Sequence, residues 1–258
     1  MPRTAAYCVV TAVLLAATCT PAVSGAAQRV TLHASLSPDK PGASTTIGFG
    51  FQISNTEGGA PAPLQGLDLH LPKGIDYLST TLGLAICQPA ALLAHGLAGC
   101  SPNSRLGFGS AFVEVPFGQN SAYEIPNIQA LMGPPQGNNL VVLFYADGRE
   151  PIAAQLVFEG ELIVGSSTLG GSLTATVPLI PSVTAGPPVS IVSVQTTIGP
   201  EHLTYYRHVG TKTIRFHPQG VSVPLHCPRG GFPFQADFSF TDGTTATAAT
   251  AVPCPRSR

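Results

Sequence analysis

The chain has 258 residues, with 12 Lys plus Arg against 13 Asp plus Glu, and only 10% of its residues are charged. So sparse and balanced a charge supplies neither the basic footprint of a nucleic-acid binder nor a polybasic patch for a membrane surface. With 28 Gly, 25 Pro and 44% hydrophobic residues, the length suits one large all-β domain or two small ones, and two is the expectation.

Met1 to about Ala26 has a short n-region with Arg3, an apolar run from Ala5 to Ala17 and a small-residue cleavage site at Ser24-Gly25-Ala26. This is the pattern of a secretory signal peptide over 1–26. Thr18 before Cys19 fits a lipid-modification site poorly, so a soluble, secreted product is expected. No later run approaches the ~18–20 apolar residues of a membrane span. Cys8 and Cys19 leave with the signal, and Cys87, Cys100, Cys227 and Cys254 remain as an even set in an oxidising compartment. Four cysteines allow three connectivities; Cys87–Cys100 with Cys227–Cys254 is expected, because each pair closes a short local segment. No Cys pair has the two-to-four-residue spacing of a zinc knuckle.

Arg29 to Leu36 and Thr45 to Ser54 read as strands separated by the Pro38-Asp39-Lys40-Pro41-Gly42 turn. Leu67, Leu69 and Leu71 then alternate with Asp68 and His70, which share a solvated outer face and do not by themselves make a metal site. Pro89 to His95 carries the good helical signal, with Pro in the first turn and Gly96 as a stop. It lies inside the Cys87–Cys100 loop, and Ser110 to Val115 follows as a strand. Val115-Pro116-Phe117-Gly118 is the candidate domain boundary, giving an N-terminal β domain over 27–118 and a C-terminal β-sandwich domain over 119–258.

Further strands are expected at Ile125 to Leu131, Asn139 to Ala146, Ile152 to Val164, Ser172 to Val177, Val189 to Ile198, Thr211 to Phe216 and Gly220 to His226, with Pro181 to Pro188 a long exposed connection. Near the end, Phe232, Phe234, Ala236, Phe238 and Phe240 alternate with Pro233, Gln235, Asp237 and Ser239, so phenylalanine forms the inner face of a strand. Asp242-Gly243 supplies a type I′ turn signal. A two-residue turn there sets Phe240 opposite Thr245, Phe238 opposite Thr247 and Phe234 opposite Ala251. Cys254 then falls opposite Gly231, and Cys227 reaches it if Arg229-Gly230-Gly231 doubles back. Many short strands without helical crossovers define an all-β fold: antiparallel β-sandwiches with one short helix in a disulfide-closed loop.

The run from Cys87 through Cys100-Ser101-Pro102-Asn103-Ser104 to Gly109, with Leu71-Pro72-Lys73-Gly74 before it and the aromatic hairpin between Cys227-Pro228 and Cys254-Pro255, resembles a group of uncharacterised secreted β-rich proteins of soil actinobacteria. The resemblance spans about half of the mature chain. It implies a secreted or envelope-associated role and brings no catalytic residues with it.

Glu159 and Glu161 lie two apart on one strand, a spacing that invites comparison with paired glycosidase carboxylates. Leu156, Phe158, Leu162 and Val164 take the inner face, however, which leaves both glutamates on the wet side. His202, His208, His217 and His226 have no HExxH-type spacing, and no Gly-x-Ser-x-Gly elbow, Walker loop or dinucleotide fingerprint is present. The functional expectation is therefore a secreted, non-enzymatic envelope-associated or adhesion-type protein of unknown ligand, without cofactor or metal, with a cell-envelope component or a glycan as the candidate partners. Glycan binding is the alternative, with Tyr205 or Tyr206 as the stacking ring, although adjacent strand residues point to opposite faces and only one could line a platform. A hydrolase of extracellular polymer acting through Glu159 is the second.

Overall fold

The computed structural model describes residues 27–77, 81–167 and 170–255; the expected export signal and the final three residues lie outside them. Period-two alternation of apolar and polar residues generates strands along nearly the whole chain: β1 (Gln28–Ser37), β2 (Ser44–Asn55), β3 (Leu64–His70), then α1 (Pro89–His95), β4 (Arg105–Phe117), β5 (Asn120–Glu124), β6 (Asn127–Met132), β7 (Leu140–Asp147), β8 (Gln155–Ser167), β9 (Gly170–Thr176), β10 (Ser190–Ile198), β11 (Tyr205–Val209), β12 (Lys212–Phe216), β13 (Val221–Ser222), β14 (Phe232–Phe240) and β15 (Thr245–Val252). All but β11 and β12 belong to one antiparallel sheet with the order β1-β2-β10-β4-β6-β7-β8-β9-β3-β14-β15, to which β5 and β13 are attached on β4 and β2.

This sheet curls until its two edges meet. β1 lies against β15, and Gln28 donates to Asp242 across the seam at 3.5 Å. Eleven strands with every neighbour antiparallel leave the first and last pointing the same way. Among the described residues no backbone ladder joins them, so side chains close the seam. The fold is thus a β-sandwich whose two layers are continuous, close to a barrel. Phe51 of β2 meets Phe238 of β14 edge to face at 5.1 Å between ring centroids, a contact between strands that are remote in sheet order. Phe232, Phe234, Phe238 and Phe240 are each at most 2% exposed and pack with Leu32, Leu36, Ile47 and Ile53 in one core.

The helix forms where the sequence places it, over Pro89–His95, with Gly96 at its end. Its Leu92 is fully buried against Leu131, Val141, Leu143 and Tyr145, which lie on the outer face of β6 and β7. The helix therefore covers the outside of the sheet, and β7, buried on both faces, reads as the unbroken apolar run Leu140 to Ala146. Both disulfides pair as expected, Cys87 with Cys100 and Cys227 with Cys254, at Cα separations of 5.1 and 5.9 Å.

Four expectations are corrected. Strands from both sides of residue 118 share one sheet, β2 with β10, β4 with β6, and β3 with both β9 and β14. The supposed boundary is a hairpin turn between Phe117 and Asn120. The final hairpin is shifted by one residue: Phe238 faces Ala246, and Phe234 faces Thr250. Gly243 alone takes a positive φ, 80°, its N–H donates to the Phe240 carbonyl and that of Phe240 donates to the Thr244 carbonyl. This is the three-residue loop of a turn followed by a left-handed glycine, with Asp242 accepting from the Thr244 N–H and hydroxyl at 2.9 and 2.6 Å. A slip of one residue exchanges the faces of a strand, so Ala248 and Val252 are buried while Thr247 and Ala251 face out. Lastly, the strand expected over Gly220 to His226 shrinks to Val221–Ser222, beyond which Pro224 removes a ladder donor, and Pro181 to Pro188 is a small hairpin with Pro181 bridged to Pro188.

Truncating the aromatic contact across the sheet tests this architecture. Phe238→Ala is expected to cost about 3–5 kcal/mol in chemical denaturation, against less than about 0.5 kcal/mol for Phe117→Ala at an exposed site. Non-reducing peptide maps should yield the two local disulfide pairs, and Cys227→Ser with Cys254→Ser should lower stability by about 3–4 kcal/mol on the chain-entropy account.

Candidate functional site

Residues pointing inward from β2, β4 and β6 to β10 do not fill the interior. They surround an apolar cavity of about 250 Å³. Along β7 its wall is Leu140, Val142, Phe144 and Ala146, every second residue, continuing through Gly148; along β8 it is Leu156, Phe158 and Leu162. Phe144 and Phe158 stack at 5.2 Å. Phe144, Phe158, Leu156, Leu173 and Val194 all point inward yet are only half-buried, because the surface they expose is the surface of the cavity. The space exists because small residues, Ala111, Ala146, Gly160 and Ala175, occupy inward positions of this half of the sheet, where the β14 half carries phenylalanines.

One end of the cavity is stoppered by Leu82, Leu106, Met132 and Val221, from the connection after β3 and from strand ends. Tyr77 lies there too, its hydroxyl pushed well above the ordinary phenol range by burial. At the other end the wall is formed by Pro126, Ile152, Ala154, Ile180 and Val189. Ile152, Ala154, Val177 and Ile180 are half-exposed, and Ile125 and Leu179 beside them are exposed, which marks this end as the mouth. The 181–188 hairpin stands on it, its base closed by the Val189 N–H donating to the Ile180 carbonyl.

Among the described residues a single acidic side chain lines the cavity. Glu124 of β5 pairs with Val113 of β4, and directly opposed residues share a face, so the register aims its carboxylate inward. It is 7% exposed. Its Oε1 accepts from the Arg149 N–H at 2.6 Å, in space that a side chain at Gly148 would fill, since a Cβ there would lie 2.5 Å from Oε1. The Arg149 guanidinium turns away to Asp147 at 3.4 Å. Among the described residues no Lys, Arg or His lies within ion-pair distance of Glu124. Sequence reasoning passed over it because Glu124 falls just before the strand expected from Ile125, and nothing local shows that its neighbours pair with β4.

The side chains singled out from sequence do not converge on this cavity. Glu159 and Glu161 face outward as expected, where they accept from Gln136 and Asn139, each at 2.7 Å. His217 contacts the Leu203 carbonyl, His208 the Thr213 hydroxyl and His202 lies 3.6 Å from Glu201. Tyr205, offered as a stacking ring, is fully buried. Its hydroxyl accepts from the Gly83 N–H at 3.0 Å and donates to the Arg105 carbonyl, so it pins the connection that stoppers the cavity. Next to it, Tyr206 keeps 37% exposure while its backbone is held by both ends of the Asn103 amide.

On the outer face His70 lies 3.2 Å from Asp237 and 3.7 Å from Asp68, a network linking β3, β14 and, through Thr247, β15. The Thr247 hydroxyl donating to Asp237 holds its carboxyl below the usual carboxylate range against the opposing effect of burial, with His70 and Gln235 adding to it. A carboxylate with a depressed folded-state pKa stabilises the fold above its unfolded pKa, and that stability is lost as the pH falls through the folded value. Asp237→Asn should therefore lower the denaturation midpoint slightly at pH 7, and the gap from the wild type should close as the pH drops well below the ordinary carboxylate pKa of about 3.9.

No protein-family model matches the chain, nor does any curated protein or solved structure.

Proposed function

We propose that this is an exported, non-enzymatic binding protein of the cell envelope that holds an apolar molecule inside its curled sheet. One observation carries the reading: the interior is an apolar cavity with a mouth at one end, walled by inward side chains that a packed core would have covered. An open cavity of this kind is costly to the fold, since unfilled apolar volume forfeits packing, and a ligand that fills it recovers those contacts. Its volume, about 250 Å³, exceeds the ~150 Å³ of an engineered cavity that takes benzene and approaches the ~300 Å³ lower bound of ordinary small-molecule sites. Export is supported by the sequence of residues 1–26 and by the two disulfides, which persist in oxidising compartments. No described helix is long and apolar enough to cross a membrane. The resemblance to secreted actinobacterial proteins agrees with an envelope location.

The test is direct binding. An environment-sensitive apolar dye should gain fluorescence saturably and stoichiometrically with the purified secreted chain. Ala146→Phe, which adds volume inside the cavity, should abolish that signal while leaving circular dichroism unchanged. Equal dye binding by both proteins would place the dye elsewhere and end the proposal.

A further inference from the structure

The shape and the one acidic group of the cavity define the ligand further, on the reading that the cavity is the binding site. We infer that the ligand is a single-chain aliphatic amphiphile whose head is a hydrogen-bond donor, an alcohol or an amine, bound tail-inward with its head on Glu124.

The tail follows from dimensions. Inward residues of β7 run from Leu140 to Gly148, about 26 Å along the strand at roughly 3.3 Å per residue. At the roughly 35–45° tilt of closed sheets this is about 20 Å of depth. A lipid chain spans one leaflet, about 15 Å, half of a ~30 Å hydrocarbon core. About 250 Å³ over that depth leaves room for at most one chain, which excludes a two-chain lipid. At the stoppered end Leu82, Leu106 and Met132 surround the Tyr77 phenol, which burial keeps neutral, so the charged acceptor of the cavity, Glu124, sets the head at the mouth.

The head follows from Glu124. A carboxylate that is nine-tenths buried beside apolar walls carries a large desolvation cost unless donors match it. Its surroundings supply the Arg149 N–H, while the Arg149 guanidinium is engaged with Asp147. A hydroxyl or ammonium entering with a chain supplies a further donor to the carboxylate. A fatty acid or a phosphorylated head would instead set a second negative charge against the first, in a medium where like charges are strongly unfavourable. The exposed Ile125 and Leu179 flank this position, so a tail can enter past apolar surface while the head remains at the rim.

Displacement of the bound dye from the delipidated secreted chain by three ten-carbon probes, 1-decanol, decylamine and decanoic acid, decides the matter at neutral pH, each below its aggregation threshold. The alcohol and the amine should displace dye at concentrations at least about tenfold below the acid, the size of one charged hydrogen bond. Glu124→Gln keeps an acceptor for the Arg149 N–H and should reduce the amine's advantage by about tenfold while improving the acid. The wild-type rank order alone answers the question should that variant fail to fold. If dye binds but the acid matches or beats the amine and alcohol, the head assignment is overturned and the cavity reading stands. If neither dye nor any probe binds, both fall together.

Discussion

Everything in this molecule depends on the meeting of β2 and β14 across the interior. Phe51 and Phe238 touch edge to face, and the phenylalanines of β14 bury nearly their whole surface against β1, β2 and β3. Each such burial is worth about 1.5–3 kcal/mol relative to exposure, and the seam between β1 and β15 has no backbone ladder among the described residues to hold it. The side chains must therefore keep the sheet curled. Were they small, the edges would separate and β1 and β15 would be left as unpaired strands, a hazard for association with other chains.

Closing the sheet on one side leaves an opposite result on the other. Around the β4 to β9 arc the inward positions alternate large with small residues, Phe144 with Ala146 and Leu173 with Ala175, so the curvature set by the phenylalanine core encloses more volume than these side chains fill. Small barrels that hold one ligand are built this way. The connection between β3 and β4 contributes twice: α1, inside its disulfide-closed loop, buries the outer face of β7, and the segment at Gly83, pinned by Tyr205, closes one end. One open end remains, and the chain sets its acidic side chain there.

Much of the fold was legible before any coordinates. Strand periodicity located twelve of the fifteen strands among the described residues to within a few residues, and α1 ended where Pro89 and Gly96 said it should. Local disulfide pairing followed from short loops. The errors arise where strand pairing decides. Asp242-Gly243 is compatible with a two-residue or a three-residue loop, and the choice, made by the Asp242 bonds to Thr244, moves the whole of β15 by one residue. β5 was missed because Asn120 to Glu124 is short and mostly polar, and it is a strand only through its pairing with β4.

What the sequence by itself determined was therefore local: which stretches are extended, which face of each is apolar, where the helix stops and which cysteines lie near one another. Those depend on alternation, turn chemistry and loop length, interactions between residues close in the chain. The tertiary structure alone decided that 27–118 and 119–258 interleave in one sheet, that Tyr205 is a buried pin, and that the apolar faces enclose space rather than only a packed core. An inward leucine reads the same in sequence whether it meets another side chain or an empty cavity, and Glu124 reads as a surface residue until its register with Val113 turns it inward. Both are properties of strand order and curvature, which arise from contacts between segments up to two hundred residues apart.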